Sequence, residues 1–166
     1  MRKTVFWVTL GLVALPASAL AGELYPNISS YHGKYINEPV DDYLLFENER
    51  TRNAIETAAP DAETAALIFS QNAVSGPIDG DENVLRGLYQ ACEPHNCGAH
   101  QWGFVFDEIS GNAAVCHFVM ESGQPALWYG AGGLLAEQEG GCPYRLADVP
   151  QAVGDAVYHR WSFESE

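Results

Sequence analysis

The chain has 166 residues, with 22 acidic and 8 basic side chains and a formal net charge of −14. A hydrophobic content of 47% is enough for a folded core and excludes a mainly disordered chain, and the length suits one domain. Nucleic acid and anionic membrane surfaces are excluded as partners, because so much negative charge is repelled by phosphates and the few Lys and Arg do not cluster.

Residues 1–21 have the composition of a cleavable signal peptide. Two basic residues precede an apolar run (5–15), and Ala19 and Ala21 occupy the two positions that signal peptidase reads. The apolar run is too short to cross about 30 Å of hydrocarbon, which takes about 20 residues. We therefore expect a soluble, exported protein that begins at Gly22.

Leu20 is the alternative first residue, and we expect the mature chain to be a single domain (22–166). Loss of Arg2 and Lys3 with the leader takes the formal charge from −14 to −16. Charge of this size either serves solubility alone or speeds association with a strongly basic partner. The charge by itself does not choose between these interpretations.

Four cysteines lie beyond the leader: Cys92, Cys97, Cys116 and Cys142. An even number in an exported chain favours two disulfides, for which three pairings exist. Pairing Cys92 with Cys97 would close a ring around four residues, and Cys116–Cys142 would then join a strand to a later loop. Chain-entropy arguments give roughly 2 kcal/mol for the short ring and about 3.5 kcal/mol for the longer one.

The first half of the mature chain has helical signals. Residues 22–40 have no clear period and are predicted to be a loosely ordered lead-in. A helix is predicted from Asp41 to Ile55, capped by the first aspartates. A second helix is predicted after Asp61 as its cap, and turns are predicted at 75–77 and 79–81. The apolar residues at helical spacing in this second helix are Ala62, Ala65, Ala66 and Phe69.

Beyond residue 84, short apolar runs alternate with turns, which is typical of a sheet. The expected class is α+β, an antiparallel meander of about five strands flanked by helices. The predicted elements are an apolar run over 84–91, strands at 102–107, 113–120, 126–129 and 157–163, turns at 110–112 and 122–125, and a short helix at 130–139.

No familiar catalytic signature is present, and no cofactor is expected. The Gly-rich segment 130–133 lacks the Lys and Ser/Thr of a phosphate loop, and the C-x₄-C spacing differs from the C-x-x-C of thioredoxin-type proteins. Trp102, Trp128 and Trp161 are assigned to packing rather than to sugar stacking. With 22 carboxylates a catalytic pair of the glycosidase type cannot be singled out, so an acidic cell-wall enzyme is a minor hypothesis.

A metal site is a second hypothesis of a different class. His95, His100 and His117 lie near cysteines in the sequence, and thiolates with imidazoles suit zinc or copper. The spacing matches no familiar zinc arrangement, however, and export favours disulfides. No metal is therefore predicted, and His32 and His159 are interpreted as ordinary surface or hydrogen-bonded histidines.

The segment from Cys92 to Gly98 has unusual physical content. A disulfide-closed ring stiffened by Pro94 would present the imidazole of His95 at its tip. A rigid tip loses little entropy when it docks, and an imidazole can hydrogen-bond to two carboxylates in a cleft. Spacing alone favours the simpler interpretation of a stabilised turn with an exposed histidine.

The residues Cys92-Glu93-Pro94-His95-Asn96-Cys97-Gly98 resemble the C-K-P-H-D-C loop of the inhibitor of vertebrate lysozyme (Ivy) family. The preceding run (88–91), the hairpin (102–120) and the segment 124–130 are similar too, and the resemblance covers roughly residues 80–130. Members of that family are periplasmic proteins of Gram-negative bacteria with an antiparallel sheet and flanking helices. They block c-type lysozyme by inserting this loop into its active-site cleft.

The resemblance implies a periplasmic inhibitor that is not an enzyme, with His95 contacting the two catalytic carboxylates of a basic lysozyme. Cys92, Pro94 and Cys97 would set the loop shape, and Glu93, Asn96 and Gly98 would line the contact. Glu93 and Asn96 stand where the family motif has lysine and aspartate. This difference makes a lytic transglycosylase the alternative target, and a homodimer is left open.

Overall fold

A computed structural model describes residues 25–158, in which three helices flank one seven-stranded antiparallel sheet. The predicted α+β class is therefore confirmed. The predicted signal peptide lies outside the described residues. Across residues 25–158, no helix has the length and apolar character needed to span a membrane.

The sheet is a meander from its third strand onward. Strands β1 and β2 both pair with β3, and the order then follows the chain from β3 to β7. The described part of the chain has seven strands, whereas about five were predicted from the sequence. The strands are β1 (Val74–Ser75), β2 (Asp79–Asp81), β3 (Arg86–Cys92), β4 (His100–Asp107), β5 (Asn112–Val119), β6 (Ala126–Gly130) and β7 (Gly133–Gln138).

Helices cover both faces of this sheet, and each face has its own core. Alternation along β4 places Trp102 and Phe104 in one core with Ile55, whereas Val105 lies in the other core with Val153. The helices are α1 (Glu49–Ala58) and α2 (Ala62–Ile68) on the first face and α3 (Gln151–Val157) on the second. A two-sided core explains why β3, β4 and β5 are almost continuously buried.

The bounds of the predicted helix 41–55 are wrong, because α1 begins at Glu49 and ends at Ala58. Asp41 and Asp42 have φ of +49° and +69°, and Val40 pairs with Tyr43, so this segment is a tight turn. Aspartate tolerates the left-handed region better than most residues, because its short side chain can hydrogen-bond locally. A 3₁₀ turn (Leu45–Glu47) follows before α1 begins.

Side-chain caps determine where α1 and α2 start. Asn48 caps α1, and its Oδ1 accepts hydrogen bonds from the amides of Arg50 at 3.0 Å and Thr51 at 3.4 Å. Asp61 caps α2, with its Oδ1 2.7 Å from the amide nitrogen of Thr64. The predicted cap of the second helix is confirmed.

Two segments predicted as turn or helix are strands. Residues 79–81 form β2, and Ser75 belongs to β1, so only Gly76 and Pro77 of the first predicted turn lie outside a strand. The predicted helix 130–139 is instead the β6–β7 hairpin, in which Gly130 pairs with Gly133. Ala131 and Gly132 connect the two strands, and Gly133 at the start of β7 has φ +106°, a conformation that favours glycine.

The two ends of the described chain also differ from prediction. Ile28 and Tyr31 are buried in the first core, so part of the lead-in 22–40 is packed rather than loose. The predicted strand 157–163 begins at Val157, which is the last residue of α3, and its residues from 159 onward lie outside the described range.

Candidate functional site

The disulfide-closed loop connects strands β3 and β4, which pair over seven residues. β3 and β4 pair from Arg86↔Asp107 to Cys92↔Gln101, and the loop leaves the sheet at that end. The Cys92–Cys97 disulfide closes it, with a Cα–Cα distance of 4.8 Å. The four enclosed residues, 93–96, are all exposed, so the loop protrudes from a rigid base.

The tip of the loop is a tight turn that carries a histidine in an unusual backbone conformation. The amide of Asn96 donates to the carbonyl of Glu93 at 3.0 Å, with Pro94 and His95 at the two central positions. Pro at the second position and a positive φ at the third are typical of a type II turn. His95 has φ +65°, which costs roughly 1–2 kcal/mol for a residue with a side chain.

Strained positions of this kind cluster at functional sites. Glycine or asparagine would suit the third position of this turn better than histidine does. The sequence instead places an imidazole in an exposed turn that a disulfide closes. This local conflict between residue and backbone is the feature of the site that most directly indicates a function for His95.

Glu93 is held inside the loop. Its Oε2 accepts a hydrogen bond from Asn96 Nδ2 at 2.7 Å and lies 3.4 Å from His100 Nδ1. The hydrogen bonds from Asn96 and His100 lower the pKa of this exposed carboxyl. Glu93 is therefore ionised at neutral pH, but its charge is directed toward its own loop.

A histidine pair lies at the base of the loop on the face covered by α2. His100 Nε2 and His117 Nε2 are 3.2 Å apart, and the ring of His100 packs edge-on against Trp102. Burial is the main cause that lowers the pKa of His117, and the neighbouring His100 adds to it. The negative charges of Asp61 and Glu63 act in the opposite direction.

Gln101 connects the loop to the second disulfide. Its Nε2 donates to the carbonyl of Cys97 at 2.6 Å, and its Oε1 accepts from the amide of Cys142 at 2.9 Å. Cys142 is bonded to Cys116 on β5, with a Cα–Cα distance of 5.9 Å. One buried amide thus fixes the C-terminal end of the loop to the rigid part of the sheet.

All four cysteines are therefore in disulfides, in the pairing considered from their spacing. The thiol-based metal or redox hypothesis loses its sulfur ligands. In the described range no group of three or more His, Cys, Asp or Glu is arranged to hold a metal ion.

Exposed apolar side chains flank the loop in the strand order. Val74, opposite Cys92, is 50% exposed, and Met120, whose amide donates to the carbonyl of Ala99, is 56% exposed. They lie on the two sides of the loop in the strand order. Tyr144 is 58% exposed and follows Cys142 by two residues. These side chains supply apolar surface next to the polar residues of the loop, and protein interfaces combine both kinds of group.

The remaining candidates have structural roles. Trp102 and Trp128 are buried in the two cores, which confirms the packing assignment, and Trp161 lies outside the described residues together with His159. His32 accepts a hydrogen bond from the amide of Gly80 at 3.0 Å, as expected for an ordinary hydrogen-bonded histidine.

Sequence reasoning did not identify Gln101, Val74 or Met120 as part of the site. Their signal is positional, since each flanks an end of a strand that meets the loop. Comparison with known proteins found no matching family model, no matching curated protein and no matching solved structure.

Proposed function

We propose that this protein is an exported inhibitor of c-type lysozyme, and that it acts by inserting the loop 92–98 into the active-site cleft. The observation that supports it best is His95 in a left-handed conformation at the exposed tip of a disulfide-closed turn. The protein itself would catalyse no reaction. In this role Cys92, Pro94 and Cys97 set the shape of the loop and Gly98 leads the chain back to β4.

The imidazole of His95 suits a cleft that contains two carboxylates. Each ring nitrogen can hydrogen-bond to one carboxyl group, and a protonated ring can pair with an ionised one. A disulfide and a proline fix the approach, so little conformational entropy is lost on binding. The same features are those of the Ivy motif, which this segment resembles.

The contacts of Glu93 weaken an objection to this target, although its charge remains. A free glutamate beside two carboxylates would repel them, but Glu93 already accepts from Asn96 and lies beside His100. Glu93 and Asn96 bond to each other here, at the two positions where the family motif has lysine and aspartate. This bond links two positions of the loop in addition to the disulfide.

The surroundings of the loop support binding to a basic protein. Val74 and Met120 provide apolar contacts on its two sides. The arginines at 50, 52, 86 and 145 are each paired with a carboxylate of this chain, so these cations do not oppose a basic partner, and the excess of acidic residues attracts it at long range. Such a field raises the association rate with a basic partner and loses effect in salt.

The test is lysis of bacterial cell walls by a c-type lysozyme, with and without the purified mature protein. The decisive variant is His95→Asn, since asparagine tolerates positive φ and removes only the imidazole. His32→Asn is the matched control, because this exposed histidine contacts Gly80 of β2, which pairs with the end of β3 remote from the loop. We expect inhibition by the parent and by the control, and at least a tenfold loss in His95→Asn, which is typical of a central anchor.

Equal inhibition by His95→Asn and the parent would refute the role of His95. Absence of inhibition by the parent would refute lysozyme as the target, and the same titration against a lytic transglycosylase then tests the alternative. Recovery of the processed chain in the periplasmic fraction tests its proposed location.

A further inference from the structure

The histidine pair at the base of the loop has the geometry of two ligands of one metal ion. Two Zn–N bonds of about 2.0–2.1 Å at a tetrahedral angle place the nitrogens about 3.3–3.4 Å apart. The Nε2 atoms of His100 and His117 are 3.2 Å apart. The separation of the two nitrogens therefore matches that of two imidazoles on one tetrahedral ion, which would lie to one side of the line that joins them.

The surroundings of His100 orient its ring for this role. Its Nδ1 faces Oε2 of Glu93 at 3.4 Å, so a proton on Nδ1 leaves the lone pair of Nε2 directed at His117. A carboxylate behind the distal nitrogen is the usual arrangement around a metal-bound histidine, where it fixes the tautomer and increases ligand basicity.

The surroundings of His117 act on a cation in both directions. The negative charges of Asp61 and Glu63 of the neighbouring α2 segment attract it, whereas burial of the ring opposes it. The side chain of His100 is 24% exposed, so water can reach an ion bound there. No third protein ligand is in place among residues 25–158, so water completes the coordination.

We propose that His100 and His117 bind one transition-metal ion of the Zn²⁺ or Cu²⁺ class, with Glu93 positioning His100 from behind. The site uses no thiolate and does not involve His95, so it differs from the cysteine-containing site considered from the sequence. It is also independent of lysozyme inhibition, and either proposal can fail without the other.

The experiment is calorimetric titration of the tag-free mature protein, with its disulfides intact, against Zn²⁺, Cu²⁺ and Mg²⁺ salts. We expect one ion per chain, tighter binding of Cu²⁺ than of Zn²⁺, and no comparable binding of Mg²⁺, which prefers oxygen ligands. His100→Gln and His117→Gln should each bind at least tenfold more weakly. Glu93→Gln should lose about 10–100-fold, the usual effect of removing such a partner.

His95→Asn and His32→Asn are the matched controls, and both should bind as the parent does. The electron paramagnetic resonance spectrum of the Cu²⁺ complex should show two nitrogen ligands in the parent and one in His100→Gln. Thermal melting checks the fold of each variant, and His100→Gln decides if His117→Gln does not fold.

Three results would overturn the proposal. They are no one-to-one binding by the parent, unchanged affinity in His100→Gln, and equal affinity for Mg²⁺, which would assign the binding to surface carboxylates.

Discussion

Replacing Gln101 by methionine should destabilise the fold without changing the volume of the side chain much. Gln101→Met removes the hydrogen bond to the carbonyl of Cys97 and the one from the amide of Cys142. A typical intramolecular hydrogen bond contributes about 0.5–1.5 kcal/mol, and a buried donor left without a partner costs about 1–3 kcal/mol. Water can reach the half-buried Cys97, whereas Cys142 is buried. We therefore expect the free energy of unfolding to fall by about 2 kcal/mol.

Urea denaturation with the disulfides intact measures this loss. With a slope of about 2 kcal/mol per molar urea, the midpoint should fall by about 1 M. A midpoint within about 0.2 M of the parent value would refute the bridging role assigned to this amide.

Gln101→Glu separates the two hydrogen bonds. The introduced carboxyl keeps an acceptor for the amide of Cys142 but places an oxygen against the carbonyl of Cys97. Burial and that oxygen raise the pKa of the introduced group in the folded state. Its stability should therefore approach the parent value below about pH 4, where the acid is protonated and donates, and fall as pH rises through the raised pKa. A pH-independent difference from the parent would contradict this explanation.

Three further measurements test other parts of the site. Because burial lowers the pKa of His117, the unfolded chain binds a proton near neutral pH that the folded chain does not. The free energy of unfolding should therefore fall as the pH drops below about 6.5. Urea titrations of His117→Gln should show a smaller dependence of this free energy on pH. Carbon-detected NMR should show Glu93 titrating below its usual range in the parent and closer to it in His100→Gln, because a hydrogen bond is lost. Replacing Cys116 and Cys142 together by alanine should lower the free energy of unfolding by about 3.5 kcal/mol, measured by calorimetry, and a loss below about 1 kcal/mol would contradict the chain-entropy argument.

The central sheet was predictable because its signals are local. Strict alternation over 102–107 and a turn at 110–112 indicate the β4–β5 hairpin directly. β7 was predicted as a helix, since its apolar Leu134-Leu135-Ala136 run does not alternate and its strand state depends on pairing with β6. The start of α1 was missed because Asp41 and Asp42 favour caps and left-handed turns equally.

The loop was predictable for a similar reason, since Cys92 and Cys97 are only five residues apart and restrict each other. The histidine pair was not predictable, because it depends on how β4 and β5 are aligned. Their register sets His117 opposite Trp102, two residues from His100. Gln101 meets Cys142 across 41 residues, and no pattern in the sequence marks that contact. Local covalent constraint was thus visible in the sequence, whereas contacts created by tertiary structure were not.

The unequal edges of the sheet have a consequence for self-association. At one edge the β1 and β2 strands have two and three residues, too few to template another chain. At the other, β7 has six residues, and within 25–158 it pairs on one side only, with Leu134 56% exposed. Of the two edges, β7 is therefore the one long enough to pair with another copy. The charge of Glu137 on this strand disfavours such pairing. A lysine or proline introduced on β7 should raise solubility at high concentration and leave the loop untouched.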